Sequence, residues 1–277
     1  MKNLFVIILM LVSLVSEAQQ ISVLTYNIKF DDRNDAVNNW DARKEFLISQ
    51  LNYNHPDVFG IQEGLQHQLE GIKNGLEAYQ YIGVARDDGK SKGEYSAIFY
   101  DTKKLKVLKN DTSWLSETPE KPSRGWDAAL PRICTYGLFK ELGSGKEFYV
   151  FNTHFDHIGD QARKASAKLI LNKIKAINTD DLPVVLTGDF NLQADAEGIQ
   201  YILEQLTDTH TEAGKNAFGP EGTFNGFHFS EPVTGKIDYV FINNGFQTIR
   251  SGILSDSFNC HYPSDHFPVF VALYFKK

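Results

Sequence analysis

Apolar runs in this chain repeatedly meet side chains that bind metals or move protons. Thr25-Tyr26-Asn27 closes the first run and Gly60-Ile61-Gln62-Glu63 the second. Phe151-Asn152-Thr153-His154 and Thr187-Gly188-Asp189-Phe190-Asn191 close two more, while Lys236-Ile237-Asp238-Tyr239 and Ser264-Asp265-His266-Phe267-Pro268-Val269 stand at late ones. Taken singly, each has an ordinary explanation. A lone Asp or His at a strand end caps a turn, Gly-Asp-Phe-Asn forms an Asx-turn, and Glu63 suits a helix N-terminus, where the dipole favours an acid. Together they supply carboxylates, amides and imidazoles. Oxygen donors of this kind suit a hard divalent cation such as Mg²⁺, which takes one or two carboxylates and keeps several waters. Such a cation neutralises negative charge that develops on a reacting oxygen, as hydrolysis and phosphoryl transfer both require. Asp189 and Asn191, two residues apart, fall on one face of an extended segment.

Positioning these residues requires strands. Short apolar segments at 22–27, 58–62, 96–100, 133–139, 148–152, 183–187, 237–242 and 267–274 read as β-strands. Helical patterns occupy 40–53, 64–76 and 195–206, and the clearest is 161–177, where Ala167, Ile170, Ile174 and Ile177 mark one face. Strands outnumber helices, and some are joined directly, as across 96–115. The pattern fits two packed, mostly antiparallel sheets with helices outside. No repeat, low-complexity stretch or linker divides the chain, so residues 19–277 read as one domain.

In this order, from Asn27 to His266, the motifs resemble the endonuclease/exonuclease/phosphatase superfamily. That group includes deoxyribonucleases, abasic-site endonucleases, deadenylases, inositol-polyphosphate 5-phosphatases and neutral sphingomyelinases. The resemblance implies an α/β fold, a four-layer α/β/β/α sandwich. It implies Glu63 as the principal metal carboxylate, with Asn27 and Asp265 in supporting positions around Mg²⁺, or Mn²⁺ in its place. His266 and Asp238 resemble the family's His–Asp pair, in which the carboxylate fixes the imidazole tautomer and stabilises its charged form. Asp189 would orient the attacking water, and Asn191 would donate to a phosphate oxygen. Either Asp189 or His266 could be the base. His154 resembles a second histidine that donates to the phosphate or acts as an acid. Glu94 stands where deoxyribonucleases carry a carboxylate paired with that histidine. The stretch 93–100 resembles deadenylase-like and environmental bacterial branches. Asn152-Thr153-His154 replaces the Tyr-x-Pro-Asn segment of abasic endonucleases, which argues against that activity.

Substrate recognition is written less clearly. Arg132, ending the loop 124–132, offers a fork for bidentate contact with phosphate, or a surface ion pair. Trp126 in the same loop offers a stacking face for a base or sugar, or plain burial. The segment 223–227 fits a pocket rim or simple loop packing, and the polar loop 31–40 lies beside Asn27.

Composition narrows the partners. The formal charge of −7 disfavours a tight duplex binder, because duplex affinity rests on neutralising many phosphates. Met1-Lys2-Asn3 followed by an apolar run from Leu4 to Val15 describes a secretory signal peptide at 1–18, with cleavage expected after Ala18. The run is too short for a stable membrane span, which takes about 20 residues. Cys134 and Cys260 could pair in an oxidising compartment, but two cysteines make no disulfide framework. The expected activity is metal-dependent hydrolysis of a small or flexible phosphoester, secreted or periplasmic. Nucleotides, nucleic acid fragments, phosphoinositols and phospholipid headgroups are candidate substrates, with no obligate protein partner. The alternatives are a secreted nuclease, a sphingomyelinase-like phospholipase, which would need an exposed apolar hairpin, and a non-catalytic binding module.

Overall fold

The computed structural model describes residues 20–276, so the expected signal peptide lies outside the described residues. The strands are β1 (Gln20–Asn27), β2 (Val58–Gly64), β3 (Tyr79–Ile82), β4 (Tyr95–Asp101), β5 (Leu105–Trp114), β6 (Ile133–Glu141) and β7 (Glu147–His154). They continue as β8 (Val184–Asp189), β9 (Thr207–Asp208), β10 (Ala217–Phe218), β11 (Asp238–Ile242), β12 (Phe246–Ile253) and β13 (Val269–Phe275). The helices are α1 (Trp40–Asn54), α2 (Gln66–Gly75), α3 (Asp160–Ile177), α4 (Glu197–Leu203) and α5 (Thr209–Ala213). One sheet runs β10-β12-β13-β1-β2-β4-β3 and the other β5-β6-β7-β8-β11-β9. Among the described residues no helix is long and apolar enough to cross a membrane.

Alternation along the central strands builds the layers. Val23, Val58, Val150, Val185 and Val240 enter one apolar cluster between the sheets. Their neighbours Leu24 and Phe59 face α1 and α2 with Leu47, Leu51, Leu69 and Ile72. Phe151, Leu186 and Phe241 face α3 and α4 with Ile170, Leu171 and Ile199. Side chains of successive strand residues point to opposite faces, so strands buried on both faces need apolar residues throughout. Three apolar seams between four layers give the expected α/β/β/α sandwich.

Most pairings are antiparallel, but each sheet has a central parallel pair, β1 with β2 and β7 with β8. Parallel neighbours need a long crossover, which α1 and α3 provide. Each helix is fixed at its start by a side-chain acceptor. Asn39 Oδ1 accepts from Ala42 N at 3.2 Å at α1, and the Asp127 carboxylate accepts from Gln161 N and Ala162 N at α3. The consequence for function is direct: both parallel pairs end at one edge of the sandwich, with Asn27 opposite Gln62 and His154 opposite Asp189. The antiparallel β11 begins at that edge, with Asp238 opposite Asp189.

Some expectations change. The directly joined strands across 96–115 do not pair: β4 belongs to one sheet and β5 to the other. β3 is four residues long, and β12 shifts register between Thr248 and Arg250; both lack a clean alternation and escaped the sequence reading. The helix expected at 195–206 is only Glu197–Leu203, with the separate α5 after it. Both thiols are free, Cys134 buried and Cys260 exposed.

Beneath the functional edge the sheets are joined by polar side chains. Gln62 Nε2 donates to Thr25 Oγ1 at 3.0 Å and to Asn152 Oδ1 at 2.6 Å. Asn152 Nδ2 donates across the sandwich to the carbonyls of Ile61 and Ala97, at 2.9 and 2.8 Å. Thr187 Oγ1 completes the set, 3.1 Å from Asn152 Oδ1. The space exists because residue 60 is glycine: a Cβ there would lie 2.4 Å from Asn152 Oδ1 and 2.6 Å from Thr187 Oγ1. Gly60→Ala should therefore destabilise the protein by about 1–3 kcal/mol, as overpacking does. Urea unfolding measures this; an unchanged midpoint would show that the network has slack.

Candidate active site

Period-two alternation carries Asn27, His154, Asp189 and Asp238 to the inner faces of their strands, at the mouth between the sheets. Glu63 breaks the rule. It follows the inward Gln62 and would point outward, but the β2–β4 register shifts between Ile61 and Gly64 and Glu63 adopts φ +63°. The bulge turns its carboxylate into the mouth, a known use of such irregularities beside active sites. Asn191, at φ +49°, is turned back in the same way after β8.

The loops are fixed as firmly as the strands. Arg43 of α1, buried, donates to the carbonyls of Ile28, Lys29, Asn38 and Pro263. It ties the segment after β1 to the one before Asp265. Ser264 Oγ donates to Asn27 O at 2.6 Å, and the Asp265 carbonyl accepts from Asn225 N and Gly226 N. The result is a cavity of about 570 Å³ lined by residues that include Lys29, Glu63, Arg132, His154, Asp189 and His266. Glu94, Asn191 and Asp265 also line it.

Within the cavity, Asn27 Nδ2 donates to Glu63 Oε1 at 3.0 Å and to Asp189 Oδ2 at 2.9 Å. Asn27 Oδ1 accepts from Lys29 N at 3.1 Å. The Asn27 amide thus presents nitrogen to the carboxylates and holds Glu63 in place. The Lys29 ammonium lies 3.3 Å from Asp265 Oδ2 and 3.8 Å from Glu63 Oε2. Burial disfavours its charge, yet those two carboxylates hold its pKa above the ordinary value. For Glu63, burial raises the pKa, but Lys29, His266, Asn27 and the Phe30 N–H together keep it lowered and the group ionised.

Two groupings could hold a cation. Ligand atoms of Asp189, Asp238 and His266 lie within 4.8 Å of one another. There, however, Asp238 Oδ2 already accepts from His266 Nδ1 at 2.8 Å, and a charged imidazole repels a metal. Glu63 and Asp265 instead already flank a positive charge, that of Lys29, and both donors are hard oxygens. This second grouping fits a divalent cation better.

The two histidines have opposite electrostatics. Burial opposes charge on His266, but Asp238, then Asp189, the Asp238 hydrogen bond and Asp265 push its pKa up to about 10. His154 is driven well below its ordinary value by burial and by Arg132, Arg86, His266 and His157. Asp189 is raised well above the carboxylate range by burial and the charge of Asp238, against the pull of His266, Asn27 and Asn191. Its Oδ2 lies 3.4 Å from His154 Nε2 and 3.8 Å from His266 Nε2.

Substrate-side expectations fare unevenly. Arg132 lines the cavity, but its fork grips imidazoles: Nη1 donates to His154 Nδ1 and Nη2 to His157 Nδ1, each at 3.0 Å. Nε lies 3.4 Å from Asp156 Oδ2. Glu94 is not the partner of His154. Its two oxygens take Arg86 in a bidentate pair at 2.7 and 2.8 Å, leaving His154 Nδ1 4.0 Å from the nearer oxygen. Trp126 is half-buried, its backbone N–H directed at the Glu117 carboxylate, and it is absent from the cavity lining. Phe224 does form part of the rim, its ring edge-on to His266 at 5.1 Å. Lys29, Arg43, Arg86, Asp156 and His157 were missed. Lys29 and His157 had a faint signal, being basic residues two and three positions after Asn27 and His154; the others are joined to the site only by the fold.

The Asp238–His266 contact should make the two residues one functional unit. In a double-mutant cycle on kcat, Asp238→Asn with His266→Ala should be scarcely slower than His266→Ala alone. Fully multiplicative losses would refute the coupling. The raised His266 pKa also has a stability signature in metal-free protein. Its contribution is complete below about 6.5, the unfolded value, and is lost as pH rises through about 10. His266→Gln should remove that alkaline decline in the unfolding midpoint; identical declines would argue against the charged pair.

Residues 24–266 match the Endonuclease/Exonuclease/phosphatase family. Among solved structures, the chain is similar to a mannosyl-6-phosphatase from Bacteroides thetaiotaomicron, at 40% identity and a TM-score of 0.90, covering 92% of this chain and 100% of that one. It is 30% identical over 178 residues to an uncharacterised protein of Acanthamoeba polyphaga mimivirus, covering 61% of this chain and 66% of that protein. It is 19% identical to the CCR4-Not complex 3'-5'-exoribonuclease subunit of Mycosarcoma maydis, covering 90% of this chain and 49% of that one. The chain thus spans about two thirds of one of these curated relatives and about half of the other. With the fold, the motif order and the shared edge of both sheets in agreement, the chain belongs to the endonuclease/exonuclease/phosphatase family.

Proposed function

We propose that this chain hydrolyses a small phosphoester, a hexose phosphate before others, with Mg²⁺ or Mn²⁺ as its cofactor. The observation that carries the reading is the convergence of Glu63, Asp265, Asp189 and two histidines on one cavity of about 570 Å³. That volume falls in the range of small-molecule sites. The similar mannosyl-6-phosphatase supports a sugar phosphate as the first substrate to try.

Glu63 and Asp265 would hold the cation, which when bound supplies neutralisation of charge on the phosphoryl group and leaving oxygen. Asp189 is the base in this reading. Its raised pKa suits a group that takes a proton from an attacking water near neutral pH. His266 is charged, its Nδ1–H committed to Asp238, so it binds the phosphoryl group rather than accepting that proton. Asn191 lies beside the same cavity edge, its amide anchored on the Phe155 carbonyl at 3.0 Å. The apolar 4–15 run supports export, with the mature chain working outside the cytoplasm.

The test is a panel of mannose 6-phosphate, p-nitrophenyl phosphate, bis(p-nitrophenyl) phosphate, an RNA oligonucleotide and sphingomyelin. Turnover should be greatest on the sugar phosphate, vanish with EDTA and return with Mg²⁺ or Mn²⁺. Glu63→Ala should lower kcat/KM by about 10²-fold or more, as loss of a transition-state electrostatic contact does. Full activity in rigorously chelated buffer would overturn the mechanism, and preferred cleavage of RNA would overturn the substrate class in favour of a nuclease. N-terminal sequencing of exported protein should begin near Gln19; intact Met1 on soluble cytoplasmic protein would refute export.

A further inference from the structure

His154 has a tautomer that its neighbours dictate. A neutral imidazole carries one N–H and one bare nitrogen, whereas a guanidinium has donors only. Arg132 Nη1 stands 3.0 Å from His154 Nδ1, so Nδ1 must be the bare, accepting nitrogen and the hydrogen must sit on Nε2. At Nε2 the neighbours are divided. The Asp189 carboxylate, 3.4 Å away, favours a hydrogen there, whereas Asn191 Nδ2, 3.2 Å away, gives one hydrogen to the Phe155 carbonyl and turns the other toward the ring. A neutral amide opposes an Nε2–H less than the buried guanidinium at Nδ1 opposes an Nδ1–H, so the guanidinium decides the tautomer. Protonating both nitrogens would set an Nδ1–H against a guanidinium N–H, with Arg86 adding a second positive charge nearby. The shift of the His154 pKa far below its ordinary value has the same cause.

Arg132 itself cannot turn away cheaply. Its side chain is buried, Nε lies against Asp156, and Nη2 donates to His157. Asp156 is fixed in turn by the N–H groups of Ala129, Ile158 and Gly159. The Glu94 carboxylate, which would stabilise an Nδ1–H if it reached the ring, is drawn off by its bidentate pair with Arg86.

We infer that Arg132 is a positioning residue that locks His154 as a neutral Nε2–H donor, so that this ring hydrogen-bonds a phosphoryl oxygen and does not supply a proton to the leaving group. The catalytic half of this statement rests on the phosphoester reading above; the tautomer does not.

The experiment uses the full ¹⁵N-labelled chain without substrate. Two-bond ¹H–¹⁵N correlation of the histidine rings, with His154 assigned by loss of its signals in His154→Gln, reads the tautomer directly. At neutral pH His154 should show a protonated Nε2 and a bare Nδ1. An Nδ1–H form, or a doubly protonated ring, in the wild type overturns the inference whether or not any variant folds. Arg132→Met should move the ring toward Nδ1–H, since Glu94 becomes the nearest polar group, and lower kcat about 10-fold or more with a smaller change in KM. Arg132→Gln, which keeps an N–H donor, should restore part of both. An unchanged His154 tautomer in a folded Arg132→Met refutes the positioning role. A shifted tautomer with unchanged kcat refutes the catalytic half while leaving the phosphoester activity itself intact, so the two readings fail separately.

Discussion

The amide of Asn152 is the contact on which the site depends. It stands on an inner strand face between two sheets held mostly by apolar packing, and it satisfies two carbonyls of the opposite sheet, those of Ile61 and Ala97. The Ile61 carbonyl lies where the β2–β4 ladder breaks register. The same break turns Glu63 inward. A polar group from one sheet therefore stabilises the irregularity in the other that delivers the carboxylate. Buried polar networks help to specify one arrangement and are costly to break; in this one Gln62 Oε1 is left without a partner while its Nε2 holds Asn152. Gly60 is the steric condition for it, since any side chain at that place would displace the amide.

Above this network, the fold places opposite charges in alternation. Glu63 and Asp265 flank Lys29, Asp189 and Asp238 flank His266, and Arg132 bridges His154 and Asp156. The arrangement gives two imidazoles at one cavity wall different protonation states. What decides each state is the group on Nδ1. His266 has a carboxylate there and is held charged; His154 has a guanidinium there and is held neutral. A phosphoryl group entering such a site would meet one charged and one neutral donor on either side of a carboxylate able to take a proton.

Both central parallel strand pairs, β1 with β2 and β7 with β8, are needed for this geometry. An antiparallel neighbour presents its opposite end, so a sheet of hairpins alone would scatter Asn27, Glu63, His154 and Asp189 between two edges. The crossovers through α1 and α3 return the chain to the start of the next strand, and four strand ends meet. Arg43 shows that a crossover helix also serves the site directly, by bonding the loops that carry Lys29 and Asp265.

The sequence by itself determined the layers and most of the candidate site. Continuous apolar strands bounded by polar ends identify strands buried on both faces, and the order of Asn27, Glu63, His154, Asp189, Asp238 and His266 identifies the family, because local patterning and residue chemistry are properties of short segments. The Asp238–His266 pair was legible only through the resemblance to that family, since 28 residues separate its members. Only the tertiary structure decided the partners across the fold. Trp126 and Arg132 look equally available in one loop, yet one sits off the cavity and the other is turned from phosphate onto two imidazoles. Glu94 carries the expected residue type, but Arg86, eight positions earlier, claims both its oxygens. Such choices depend on which charged groups are brought within about 4 Å of one another in a place shielded from water, where Coulomb attraction is strong. No spacing along the chain encodes that distance, and so the protonation of His154 became visible only once the two sheets were closed on each other.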